Sequence, residues 1–210
     1  MPDPEFSNLG LFPLGVVLLP GERMPLHIFE PRYRELIADC TLGARPFVLS
    51  LGTENGVART GCTATPVALL RRFDDGRMNL LVEGGDPVEI LEQTTGSELY
   101  VTARVHVLAD GDEPGDEAVA GEVRERFRRL SETVAGAALE PDVRNAVPLS
   151  YAIAGAIELD PMPKQRLLES RSETERLTLV SSLLDTALSG PDRQDVAAER
   201  AHTNGKVTLE

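Results

Sequence analysis

Apolar and polar positions divide this chain into a β-patterned half and a helix-patterned half. The alternation is strictest over residues 99–108. There Leu99, Val101, Ala103, Val105 and Val107 share one face, while Tyr100, Thr102, Arg104 and His106 share the other. That period of two predicts a half-buried strand. Shorter apolar runs at 12–19, 26–29, 47–51, 67–73, 78–82 and 88–91 predict further strands, with Pro20-Gly21, Gly52 and Gly84-Gly85 as breaks between them. Asp74-Asp75-Gly76-Arg77 has the composition of a hairpin turn. Short strands of this kind build a small barrel or sandwich. One helix interrupts them. Pro31 suits a first helical position after Glu30, Tyr33, Leu36, Ile37 and Cys40 follow at helical spacing, and Gly43 ends the run.

Beyond an acidic stretch at 109–116, read as a flexible and solvated linker, the period changes to 3.6. Val119, Val123, Phe127, Leu130 and Val134 mark a long amphipathic helix. Pro148 opens a second helix through Leu149, Ala152, Ile153, Ala156 and Ile157, and Asp160-Pro161 starts a third. Ser172-Glu173-Thr174-Glu175 reads as a capping box, before a helix presenting Leu177, Val180, Leu184 and Leu188 and stopping at Gly190-Pro191. Residues 191–210 are polar and read as a flexible tail. Strands followed by helices predict an α+β fold.

Composition narrows the function more than the fold. Against 34 Asp and Glu stand 21 Lys and Arg, a net charge of −13. Phosphate backbones and anionic lipid repel such a chain, which disfavours nucleic acid and membranes as partners. No apolar run approaches the ~20 residues of a membrane helix, and the N-terminus lacks signal-peptide character, so the expected location is cytoplasmic.

The search for chemistry finds little. There is no phosphate-binding Gly-x-x-x-x-Gly-Lys run and no Gly-x-Ser-x-Gly elbow. The lysines are Lys164 and Lys206, and neither position offers the desolvated ammonium that a lysine base requires. Cys40 and Cys62 form no Cys-x-x-Cys pair, and His27, His106 and His202 are dispersed, so no metal or cofactor is predicted. A nucleophilic Cys40 or Cys62 beside one of the histidines, with Cys62 the thiol singled out, leaves an enzyme or small-molecule sensor open.

Three blocks carry a family resemblance: Leu11-Phe12-Pro13-Leu14, Val17-Leu18-Leu19-Pro20-Gly21, and Pro25-Leu26-His27-Ile28-Phe29-Glu30-Pro31-Arg32-Tyr33. They resemble the N-terminal, substrate-binding domain family of Lon proteases, above all its stand-alone bacterial members; a related domain occurs in cereblon. The likeness continues through Gly61, Asp75-Gly76-Arg77 and Leu81-Val82-Glu83-Gly84, and through Leu159-Asp160-Pro161, Lys164-Gln165, Leu167-Leu168-Glu169 and Glu175-Arg176-Leu177. It spans roughly residues 9 to 188.

The resemblance implies a PUA-like β-barrel at 9–108 holding one inserted helix, a helical bundle at 116–190, and a tail. In full-length Lon this region precedes an ATPase and a Ser–Lys protease. The present chain ends before either, so the expectation is a non-enzymatic protein with no cofactor. The expected partner is unfolded or extended polypeptide, or one dedicated protein, in an adaptor or quality-control role. Phe12, His27, Phe29, Arg32, Tyr33 and Phe73 are the candidate contacts, and the same blocks read first of all as scaffold. The alternative is an RNA-binding PUA-like domain, which requires Arg71, Arg72 and Arg104 to converge on one face.

Overall fold

The computed structural model describes residues 5–54, 56–111, 115–143 and 146–189. In chain order its elements are β1 (Glu5–Leu14), β2 (Arg23–Ile28), α1 (Pro31–Gly43), β3 (Phe47–Thr53), β4 (Gly56–Arg72), β5 (Met78–Thr95) and β6 (Val101–Val107). Helices α2 (Glu117–Ala135), α3 (Leu149–Ala156), α4 (Pro161–Glu169) and α5 (Glu173–Ser189) follow. The predicted α+β order is the observed one. The predicted stop of the last helix and the tail at 191–210 lie outside the described residues.

The strands form one sheet in the order β2-β5-β4-β3-β1-β6, and β6 pairs back onto β5. β5, β4, β3, β1 and β6 therefore close into a barrel-like ring. Along one edge of β5, β2 pairs with Met78–Glu83 and β6 with Val88–Thr95. Alternation on β6 distinguishes the two sides of the ring. Arg104 is exposed, so Ala103 and Val105 point inward, where they cluster with Leu9, Leu11, Val48, Val88 and Ile90. The outer side is covered as well. Phe12, Phe47, Leu49 and Cys62 share one apolar cluster with Leu36 and Ile37 of α1 and with Val123, Phe127, Leu167 and Leu177 of the later helices. Tyr100, on the polar face of the β6 pattern, is buried because its hydroxyl donates to Asp39 of α1 at 2.8 Å.

β5 runs through Gly84-Gly85, where the sequence predicts a break. Gly84 donates to the Glu22 carbonyl at 2.9 Å and accepts from the Gly21 N–H at 2.8 Å. A Cβ on Gly84 would collide with the Leu19 carbonyl. The glycine thus admits close approach of the loop before β2 without ending the strand.

Two polar joints fix the helices to the ring. The first changes the reading of the acidic stretch at its two ends, Asp110 and Asp116, which are engaged rather than merely solvated. Asp110 takes both terminal nitrogens of Arg176, whose side chain is wholly buried. Arg176 also donates to Glu173 at 2.7 Å and to the Ser150 hydroxyl at 3.0 Å, and lies 4.4 Å from the centre of the Tyr151 ring. Burial works against the guanidinium charge, but Asp110, Tyr151 and Glu173 outweigh it and the pKa is raised. Asp116 caps α2 by accepting from Ala118 and Val119. The capping box before α5 is half realised: Ser172 accepts the Glu175 N–H at 3.4 Å, while Glu175 turns to the Ser170 hydroxyl.

The second joint corrects the reading of Lys164. Its side chain is only 10% exposed, and its ammonium lies 2.5 Å from Glu22. α4 packs on β4, so the lysine is desolvated but spent in an ion pair. The neighbouring Gln165 donates to the Thr60 carbonyl of β4 at 3.1 Å.

Replacing Arg176 with Met leaves Glu173 without its cation and Asp110 with only Arg171, 3.9 Å away. Removing one partner of a buried pair costs 3–5 kcal/mol, and the partial exposure of Asp110 places this case near about 3 kcal/mol. Urea unfolding measures it; a loss below about 1 kcal/mol contradicts this role for the joint.

Both cysteines are free and buried. Burial pushes the Cys40 thiol up to about 11 and raises that of Cys62 further still. Neither thiol should react with iodoacetamide at pH 8 in the folded protein, and both should react in urea. Rapid native labelling of Cys62 would restore the nucleophile reading.

Candidate functional site

The site begins with a mismatch of strand lengths. β3 pairs with β4 as far as Phe47 opposite Ala64. β4 continues to Arg72, paired from Thr65 onward only with β5 among the described residues. Every residue from Val67 to Arg72 is exposed. Pro66 and register shifts between Pro66 and Ala68 and between Leu69 and Arg71 break the regularity of this open edge, as natural sheets do to deter indiscriminate pairing.

α1 stands beside the overhang. Tyr33, Leu36, Ile37 and Cys40 face the core, and Leu42 is left 87% exposed. Between helix and overhang lies a groove of ≈ 880 Å³. Ile37, Ala38 and Leu42 form one wall; Pro66, Val67 and Leu69 form the other; Met78 and Leu80 of β5 also line it. A second depression, ≈ 410 Å³, lies between the β1–β2 connection and α3 and contains the ion-paired Arg23 and Glu83. Its charged residues, Glu22, Arg23, Glu83 and Asp142, suit an extended apolar chain less well.

The groove has a charged end at the β4–β5 hairpin. Phe73 bonds Arg77 and Gly76 across the turn, and Gly76 adopts φ +85°, which favours glycine. Arg34 of α1 donates to the Asp75 carbonyl at 2.9 Å, and Arg72 closes the β4 wall. The Asp75 carboxylate is held below its usual range by the Arg77 N–H and then by the Arg77 guanidinium. Glu35, the acid in the groove lining, is engaged by the Leu99 N–H at 3.1 Å.

The six predicted contacts do not form one site. Phe12 and Tyr33 are core residues, 4% and 6% exposed, with ring centres 4.0 Å apart. Phe12 packs beneath α1 against Tyr33 of that helix, so neither side chain lies at the surface. Burial also raises the Tyr33 pKa. His27, Phe29 and Phe73 do meet, on the side of β2 opposite the buried Leu26 and Ile28. His27 Nδ1 lies 2.5 Å from Asn79 Oδ1 and its ring stacks on Phe29, which is 58% exposed. Arg32 lies over Tyr33 and pairs with Glu30 at 2.8 Å. None of the six lines the groove.

Sequence reading missed Leu42, Pro66, Val67, Leu69 and Arg34, and gave Arg72 only to the RNA alternative. The available signals were Leu42, outside the buried stripe of α1, and the run Val67–Leu70, which is apolar on both faces of a strand. Arg71 and Arg72 stand at the hairpin, whereas Arg104 pairs with Glu92 near the other end of β5. The three do not converge as the RNA reading requires. Among the described residues, no three His, Cys, Asp or Glu are grouped to hold a metal, and no helix is long and apolar enough to cross a membrane.

Comparison with solved structures finds this fold elsewhere. The Lon N-terminal domain protein from Xanthomonas campestris aligns with a TM-score of 0.64 at 23% identity, over 84% of this chain and 98% of that one. The N-terminal domain of Mycobacterium avium complex Lon protease aligns with a TM-score of 0.68 at 19% identity, over 85% and 98%. These identities carry the fold alone. No curated protein matches the sequence. The family described as the ATP-dependent protease La (LON) substrate-binding domain, however, matches residues 8–186, nearly the whole described chain. The protein therefore belongs to the Lon substrate-binding domain family.

Proposed function

We propose that this protein is a non-enzymatic binding module that holds extended or unfolded polypeptide in the groove between α1 and the β4 overhang. The observation that carries the reading is the overhang itself: an open strand edge facing apolar side chains across a groove. Such an edge receives the backbone of an extended segment, while pockets beside it take alternate side chains. Family membership supports polypeptide as the ligand.

The groove offers much to cover, since Leu42, Leu69 and Val67 are 87%, 59% and 44% exposed. Partners of this kind fit an adaptor or quality-control role, where recognition depends on exposed apolar backbone rather than on one sequence. Two buried, unpaired cysteines suit a reducing compartment such as the cytoplasm.

A fluorescent ten-residue peptide with leucine at alternate positions, serine between them and an amidated C-terminus tests this by anisotropy. Saturable binding is expected. Leu42→Asn together with Leu69→Asn should weaken it by about tenfold or more, because each side chain covered on binding contributes on the order of 1 kcal/mol. Val134→Asn, at an α2 residue 67% exposed and outside the groove, serves as control. Equal effects from the groove and control variants would contradict the assignment.

A further inference from the structure

Arg72 lines a mainly apolar groove and has no hydrogen-bond or ion-pair partner for its side chain among the described residues. Arg166 shares that state, but most of the described arginines are paired. Acids outnumber bases by 34 to 21, and Arg23, Arg32, Arg59, Arg77, Arg126 and Arg128 each hold a carboxylate within 3 Å. Arg34, the other guanidinium in the lining, donates to a backbone carbonyl and has no carboxylate partner among the described residues. Of the acids nearest in sequence, Asp75 pairs with Arg77, Glu35 accepts from the Leu99 N–H and Glu30 pairs with Arg32, while Asp74 at the hairpin forms no ion pair with either guanidinium.

Both guanidiniums stand at the same end of the groove. Arg34 is in the first turn of α1 and touches the hairpin, and Arg72 is the last residue of β4, opposite Met78. Leu42 and Pro66 mark the other, apolar end. The groove is therefore polarised along its length, apolar first and cationic last.

We propose that the groove selects extended polypeptide segments in which an apolar run is followed by an acidic side chain, whose carboxylate is received by Arg72 and Arg34. This rests on the groove being the polypeptide site. Arginine suits the task because its planar fork pairs two nitrogens with two carboxylate oxygens. The surrounding apolar walls limit the water available to screen the pair. Elsewhere the protein's net negative charge repels acidic segments, so the preference is confined to this end.

Three versions of the leucine–serine peptide test the proposal. One ends in Gln-amide, one in Glu-amide, and one in Gln with a free carboxylate. The Glu-amide peptide is expected to bind about tenfold more tightly than the Gln-amide peptide at low salt, with the ratio falling as salt rises. In Arg72→Gln the ratio should fall towards one, and Arg34→Gln should reduce it as well; both side chains are at the surface, so folding is retained. Equal affinity of the Glu-amide and Gln-amide peptides overturns the carboxylate preference and leaves the groove assignment standing. A gain confined to the free-carboxylate peptide overturns the side-chain assignment in favour of chain termini. Binding of none of the three overturns the groove reading itself, and this inference with it.

Discussion

β3 ends its pairing with β4 at Phe47, and the overhang follows from that shortfall. The chain enters β3 directly from α1, so the helix lies where a longer strand would have run. β4 meanwhile continues to the hairpin because β5 must reach Met78 to pair with β2. One side of β4 is thus open from Thr65 onward, and α1 is its nearest neighbour across the gap. A sheet edge of this sort is a liability unless it is interrupted or used. Pro66 and the adjacent register shifts interrupt it, while Val67 and Leu69 keep it apolar.

The groove's walls depend on a rigid frame behind them. Tyr33 of α1 packs on Phe12 and Phe12 on Phe47, in tilted pairs with centroid separations of 4.0 and 5.9 Å, and these contacts fix the helix over β1 and β3. Farther away, Arg176 ties the segment leaving β6 to α3 and α5, and Lys164 ties α4 to the loop entering β2. Buried ion pairs of this type contribute less to net stability than to fixing one arrangement, since desolvation offsets much of the attraction. Their consequence here is a bundle held in one place on the outside of the ring, away from the groove. The chain holds one face closed and leaves the other available.

Much of this fold was legible in the sequence because period and punctuation agree there. The alternation through β6, the Pro31 start of α1, the Gly76 turn and the 3.6 period of α2 each reflect a local rule that tertiary packing also obeys. The misreadings arose where a long-range contact decides. Gly84 reads as a break, yet serves the close approach of a loop some sixty residues away in sequence. Asp110 reads as a solvated acid, yet meets an arginine from α5. The site was the least legible part. Phe12 and Tyr33 have the chemistry of peptide contacts and lie in the core, whereas Leu69 and Leu70 look like core and lie at the surface. An apolar residue's side of the boundary depends on whether a neighbouring strand extends far enough to cover it, and β3's length is not written in β4.

Amide hydrogen exchange on the whole chain, with and without a permanently unfolded polypeptide, tests the central claim most directly. A bound chain that pairs with the β4 overhang should slow exchange at residues 67–72 and in the facing turns of α1, while α2 and α5 remain unchanged. Slowing confined to the outer side of β2 or to the depression beside α3, with residues 67–72 exchanging as before, would contradict the account.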